Sequence, residues 1–104
     1  MIYQRTLTKK VTVTGLGLHS GRKVTLTMHP AEANFGIQFK RVDLPNSEVL
    51  KATAHTVGPT DNNTTLGSGA NAVHTVEHLL AVFYGLGINN VYCEINGPEV
   101  PIMD

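Results

Sequence analysis

The chain has 104 residues, enough for one hydrophobic core but not two, and 41% of them are apolar, an ordinary share for a globular domain. Eight basic residues balance eight acidic ones, which removes the electrostatic case for nucleic acid or an anionic membrane surface as a partner. A single cysteine, Cys93, excludes an intramolecular disulfide and agrees with a reducing compartment.

Met1 to Thr14 alternates polar and apolar residues and holds no apolar run. That pattern predicts neither a secretory signal peptide nor a transmembrane helix, and it makes the cytoplasm the expected location. Val11 and Val13 alternate with Thr12 and Thr14; Val24, Leu26 and Met28 alternate with Thr25 and Thr27; Ile37 and Phe39 alternate with Gln38 and Lys40. Period two with many β-branched residues predicts half-buried strands. Gly15, Gly17 and Gly21 separate the first two runs, and Pro30 to Asn34 the next two, so antiparallel pairing of successive strands is expected. Pro45-Asn46-Ser47 marks a turn, and Lys51 to Val57 reads as a further strand. Gly58 to Asn63 and Gly67 to Asn71 are rich in turn formers.

From Thr75 to about Gly85 the period changes. Val76, Leu79, Leu80 and Phe83 form the stripe of a helix packed on a core. Thr75 is the expected N-cap, Glu77 suits the positive end of the helix dipole, and Gly85 or Gly87 supplies a left-handed C-terminal cap. Alternation returns from Asn90 to Ile95, where Cys93 reads as a small buried hydrophobe. Several strands, one helix and one more strand predict a two-layer α+β domain, its mostly antiparallel sheet covered on one face by helix.

The chemistry concentrates in His74-Thr75-Val76-Glu77-His78. His-x-x-Glu-His is the spacing of inverted zincins, in which both histidines ligate zinc and the glutamate polarises its water, because i and i+4 share a helix face. A helix capped by Thr75 instead leaves His74 in the preceding loop. His78 falls near the apolar stripe, where a buried imidazole needs a partner such as a metal. The glycine spacing of Gly15 to Gly21 fits neither the dinucleotide fingerprint nor the Walker pattern, so it reads as a strand-to-strand turn with His19 at its tip. His29 at a strand end and His55 in a strand have no ligand-like neighbour in sequence, and Asp61 to Thr65 is a polar loop.

Four segments occur together in a characteristic order and spacing: Gly15-Leu16-Gly17-Leu18-His19-Ser20-Gly21, Thr75-Val76-Glu77-His78-Leu79, Gly85-Leu86-Gly87-Ile88-Asn89-Asn90 and Pro98-Glu99-Val100-Pro101-Ile102-Met103-Asp104. With Gln4-Arg5-Thr6-Leu7 and Arg22-Lys23-Val24-Thr25-Leu26-Thr27 they cover essentially the whole chain. The chain thereby resembles the N-terminal half of the UDP-3-O-acyl-N-acetylglucosamine deacetylases, zinc enzymes of lipid A biosynthesis in Gram-negative bacteria.

The resemblance implies His78 as a Zn2+ ligand, Glu77 as general base and His19 as a contributor to the substrate's nucleotide-diphosphate end, with His74 outside the pattern. It implies two similar α+β domains, residues 1–104 being the first, with the remaining metal ligands and a further histidine in a C-terminal domain. It also implies that this piece alone is inactive, since one metal-binding histidine cannot build a three-ligand catalytic zinc site. The residues themselves leave two alternatives open, an inverted-zincin metallopeptidase and a non-catalytic α+β binding domain.

Overall fold

Alternating residues settle as strand where one face can be buried, and the computed structural model shows where that happens. The structure describes residues 4–17, 21–52, 65–66, 72–74 and 76–101. Strands β1 (Val11–Leu16), β2 (Lys23–Pro30), β3 (Ile37–Arg41), β4 (Leu50–Ala52), β5 (Thr65–Leu66) and β6 (Val73–His74) precede helix α1 (Glu77–Gly85), and β7 (Val91–Ile95) follows it. Five strands form one sheet in the order β1-β2-β7-β3-β4, while β5 and β6 pair separately. The architecture is α+β with a mostly antiparallel sheet, as the alternation predicts.

One expected neighbour relation is overturned. β2 and β3 do not pair; β7 lies between them, antiparallel to β2 and parallel to β3. The physical reason is the inner face of β7. Val91, Cys93 and Ile95 are each 0% exposed, and only a central strand flanked on both edges buries three successive inward residues so completely. Strands two places apart stand roughly 9.5 Å from each other, too far for a tight hairpin, and the 31–36 link spans that gap. Gly36 anchors the link, donating its N–H to Asn90 Oδ1 (2.8 Å) and accepting from Val91 N (2.9 Å). The strand expected over Lys51–Val57 is observed as β4, and residues 53–57 lie outside the described residues.

Helix α1 covers the inner face. Val76, Leu79, Leu80 and Phe83 join Val24, Leu26, Ile37, Phe39, Val91, Cys93 and Ile95 in one core. Burying each such helix side chain contributes about 1.5–3 kcal/mol, enough to hold a helix of only nine residues that would melt in isolation. The helix starts later than expected: the capping position is Val76, which makes no side-chain cap bond, and Thr75 lies outside the described residues. Strand β6 is the reason. His74 donates its N–H to Pro98 O (2.7 Å) and accepts from Val100 N (3.1 Å), so the chain is still extended there and turns helical only as Val76 enters the core.

Of the two candidate C-terminal glycines, Gly87 is the one with a left-handed backbone, φ 73°. Gly87 N donates to Tyr84 O and Ile88 N to Phe83 O, the paired bonds of a Schellman cap, and Ile88 folds back into the core. Beyond β7, Asn96 ties the chain to β2 by accepting from Thr25 N at Oδ1 (2.8 Å) and donating to Thr25 O (3.3 Å). This contact presses Gly97 onto Val24, where an added Cβ would stand 2.8 Å from Val24 Cγ2.

Two stability changes follow. Gly87→Ala is expected to cost about 1–2 kcal/mol, because a Cβ is strained in the left-handed region; denaturant unfolding measures it. Gly97→Ala is expected to cost about 1–3 kcal/mol through overpacking against a stiff buried valine. The double variant with Val24→Ala should lose less than the sum of the two single losses, a coupling that a double-mutant cycle reads directly.

Candidate active site

The core stripe fixes which way the rest of α1 faces. A helix turns about 100° per residue, so with Leu79, Leu80 and Phe83 against the sheet, Glu77 comes to the flank and His78 to the open side. Glu77 is half-buried and His78 is exposed. This corrects the expectation that His78 lies against the apolar stripe. Its imidazole faces away from the core, so burial supplies no argument for a metal partner. What exposure supplies is access. Ala81, Val82 and Gly85 stand three, four and seven residues beyond His78 and are exposed with it, giving a small, mostly apolar open face around the imidazole.

His74 belongs to β6 and not to α1, so the two histidines do not share a helix face and the inverted-zincin geometry is not formed. The backbone of His74 is nevertheless part of a junction. His74 pairs with Glu99, and Gly17, at the start of the glycine-rich turn, pairs with Pro101. That turn is closed by Gly17 N to Arg22 O and Gly21 N to Gly17 O, both 2.9 Å. Gly21 has φ 67°, a conformation that suits glycine. Three of the segments singled out in the sequence, at residues 15–21, 74–78 and 98–101, thus meet at the approach to α1. His19 lies outside the described residues, as does His55.

The fourth segment and the N-terminal Gln4-Arg5-Thr6 do structural work. Asn90, 2% exposed, donates from Nδ2 to Gln4 Oε1 (2.8 Å), while its carbonyl accepts from Thr6 Oγ1. Asn89 Oδ1 accepts from Arg5 N (2.9 Å), and Arg5 O accepts from both Asn89 N and Asn90 N. These bonds pin the N-terminal segment beside the turn between α1 and β7. Asn90 is the buried member of this group, and the bonds give its amide and carbonyl the partners that water does not reach.

Two further residues are placed outside the site. Burial pushes the Cys93 thiol far above its ordinary range, so it stays protonated and is no nucleophile. His29 is on the outer face of the sheet, opposite α1. There Nε2 meets Glu94 Oε1 at 2.6 Å and the ring stacks on Tyr92. This partner, invisible in the local sequence, comes from the pairing of β2 with β7.

Sequence reasoning missed Arg41. It is 5% exposed and ends β3 on the inner face. Its Nε and Nη2 fork onto Asp43 Oδ1 (2.8 Å) and Oδ2 (2.6 Å), and Nη1 donates to Ala72 O (3.1 Å). The signal was available: the period-two register through Ile37 and Phe39 carries inward to residue 41. The guanidinium holds the Asp43 carboxyl below the usual carboxylate range, mainly through their hydrogen bond.

No three histidine, cysteine, aspartate or glutamate side chains gather at metal-binding distance among the described residues. The donor set at α1 is one open imidazole with a carboxylate beside it. It suits a metal whose remaining ligands come from elsewhere, because catalytic zinc takes three protein ligands and leaves one position for water.

Comparison with known proteins identifies the family. The family model of UDP-3-O-acyl N-acetylglycosamine deacetylase matches residues 4–104. The chain is 52% identical over its full length to the UDP-3-O-acyl-N-acetylglucosamine deacetylase of Citrifermentans bemidjiense (strain ATCC BAA-1014 / DSM 16622 / JCM 12645 / Bem). It is 53% identical to that of Methylococcus capsulatus (strain ATCC 33009 / NCIMB 11132 / Bath) and 52% identical to that of Legionella pneumophila (strain Corby). In each case all of this chain aligns but only 34% of the relative, so it spans about a third of the relatives' length. The chain belongs to the UDP-3-O-acyl-N-acetylglucosamine deacetylase family.

Proposed function

We propose that this chain is the first domain of a zinc-dependent cytoplasmic deacetylase that removes the N-acetyl group of UDP-3-O-acyl-N-acetylglucosamine, releasing acetate at an early step of lipid A biosynthesis. The observation that carries the reading is the adjacent pair at the start of α1, a half-buried carboxylate beside an exposed imidazole. Membership of the deacetylase family supports it. So does the share of the relatives that this chain covers, since a second domain then supplies the other metal ligands.

In this reading His78 holds zinc together with ligands from the second domain. Bound zinc supplies Lewis acidity, polarising the acetamide carbonyl and making its water easier to deprotonate. Glu77 takes the proton of the attacking water as it adds to the carbonyl carbon. α1 keeps the two side chains in fixed relation, because they are consecutive on one rigid turn. A donor from the second domain stabilises the developing oxyanion. The C–N bond then breaks as the nitrogen takes up a proton, balancing the one Glu77 removed from water, and acetate and a free sugar amine are left. His19, in the glycine-rich segment, contributes to binding the nucleotide-diphosphate end of the substrate. The small open face of Ala81, Val82 and Gly85 is covered by the second domain, and the piece alone is inactive.

The two residues have separable roles. In the full-length protein Glu77→Ala is expected to keep zinc at wild-type stoichiometry and lose about 10²–10⁴-fold in turnover. His78→Ala should lose the metal itself, as read by elemental analysis. Equal zinc in wild type and His78→Ala would overturn the ligand assignment. Loss of zinc in His74→Ala to the same degree would restore the two-histidine alternative.

A further inference from the structure

A cation on the inner face of a sheet is costly, and an apolar side chain of similar volume would serve packing as well or better. Arg41 occupies such a position, continuing the buried register of Ile37 and Phe39. Most of its polar demand is met locally, by a carboxylate two residues along. The bidentate fork onto Asp43 fixes the plane of the guanidinium, and Nη1 reaches the Ala72 carbonyl, 31 residues away in sequence. Ala72 is itself only 3% exposed, so water has little access to replace that donor. From Ala72 the chain passes directly into β6, whose His74 is tied to Pro98 and Val100, and then into α1 at Glu77.

We propose that Arg41, oriented by Asp43, is a positioning residue that fixes the entry of the 72–78 segment into α1 and thereby the placement of Glu77 and His78. The proposal rests on the reading of those two residues as base and ligand. It accounts for a charged side chain where packing needs only an apolar one. A lysine cannot substitute, because a single ammonium lacks the planar fork that holds two donors on Asp43 and a third on the Ala72 carbonyl. A carboxylate is ionised at neutral pH, and the hydrogen bond from Arg41 holds the Asp43 carboxyl lower still.

The test uses the full-length protein with Arg41→Lys and Asp43→Asn, two variants that keep similar volumes. Amide hydrogen exchange at His74, Leu80 and Val100, whose N–H groups bond to the carbonyls of Pro98, Val76 and His74, is expected to speed up by about tenfold or more, while the β1–β2 amides stay within about twofold of wild type. Deacetylation of the UDP-sugar should lose about tenfold in kcat with KM nearly unchanged, the signature of displaced catalytic groups and not of lost substrate binding. Uniform acceleration of exchange over the whole sheet would reduce Arg41 to a stability role and overturn the proposal, as would unchanged exchange at His74, Leu80 and Val100. A wild-type protein whose turnover is indifferent to Glu77→Ala would instead sink the deacetylase reading, and the exchange measurement separates the two failures.

Discussion

The strand on which everything else depends is β7. It enters between β2 and β3 with three inward side chains wholly removed from water. It takes β2 antiparallel on one edge and β3 parallel on the other. The helix can lie flat only because this central strand and its neighbours present a continuous apolar surface to it. The ends of β7 also carry the contacts that organise both rims. Asn90 at its start holds the N-terminal segment and the crossing link, and Asn96 at its end holds β2. Remove the strand and the sheet divides into two pairs, β1-β2 and β3-β4, with nothing to support α1.

Polar groups, not apolar ones, decide where the chain stops being regular. Buried amide and guanidinium groups demand partners with fixed geometry, and Asn90 and Arg41 each take one of theirs from the backbone at an element boundary. Asn90 satisfies the link before β3. Arg41 satisfies the carbonyl that precedes β6. His74, through its backbone, binds the Pro98–Val100 strap. Together they define one end of the domain, where the glycine-rich turn, the strap and the start of α1 come together. The outer face of the sheet is organised differently: the His29–Glu94 pair and the stacked Tyr92 ring are half-exposed and accessible to water, so they weigh less on the fold.

Legibility in the sequence follows the range of the interaction concerned. Period-two runs around Val24, Ile37 and Val91 and the stripe through Val76, Leu79, Leu80 and Phe83 report burial directly, because a local pattern suffices to specify a face. The helix start was displaced from its expected position because a strand hydrogen bond from a segment more than twenty residues downstream competes with the capping signal at Thr75. The exposure of His78 was misjudged for a related reason. A residue at the margin of a stripe falls inside or outside according to how the helix is rotated on the sheet, and the bulk of Phe83 and Leu79 sets that rotation.

By itself the sequence determined the longer strands and their inward faces, the helix that covers them and the Glu77-His78 pair that carries the family resemblance. All of these are encoded within a few residues of one another. Tertiary structure alone decided that β7 separates β2 from β3, that His74 is strand and His78 is open to solvent, that Gly87 and not Gly85 closes the helix, and that Arg41 reaches Ala72. Each of these depends on side chains and backbone groups competing across the fold for the same buried partners. That competition is resolved only once the core has closed.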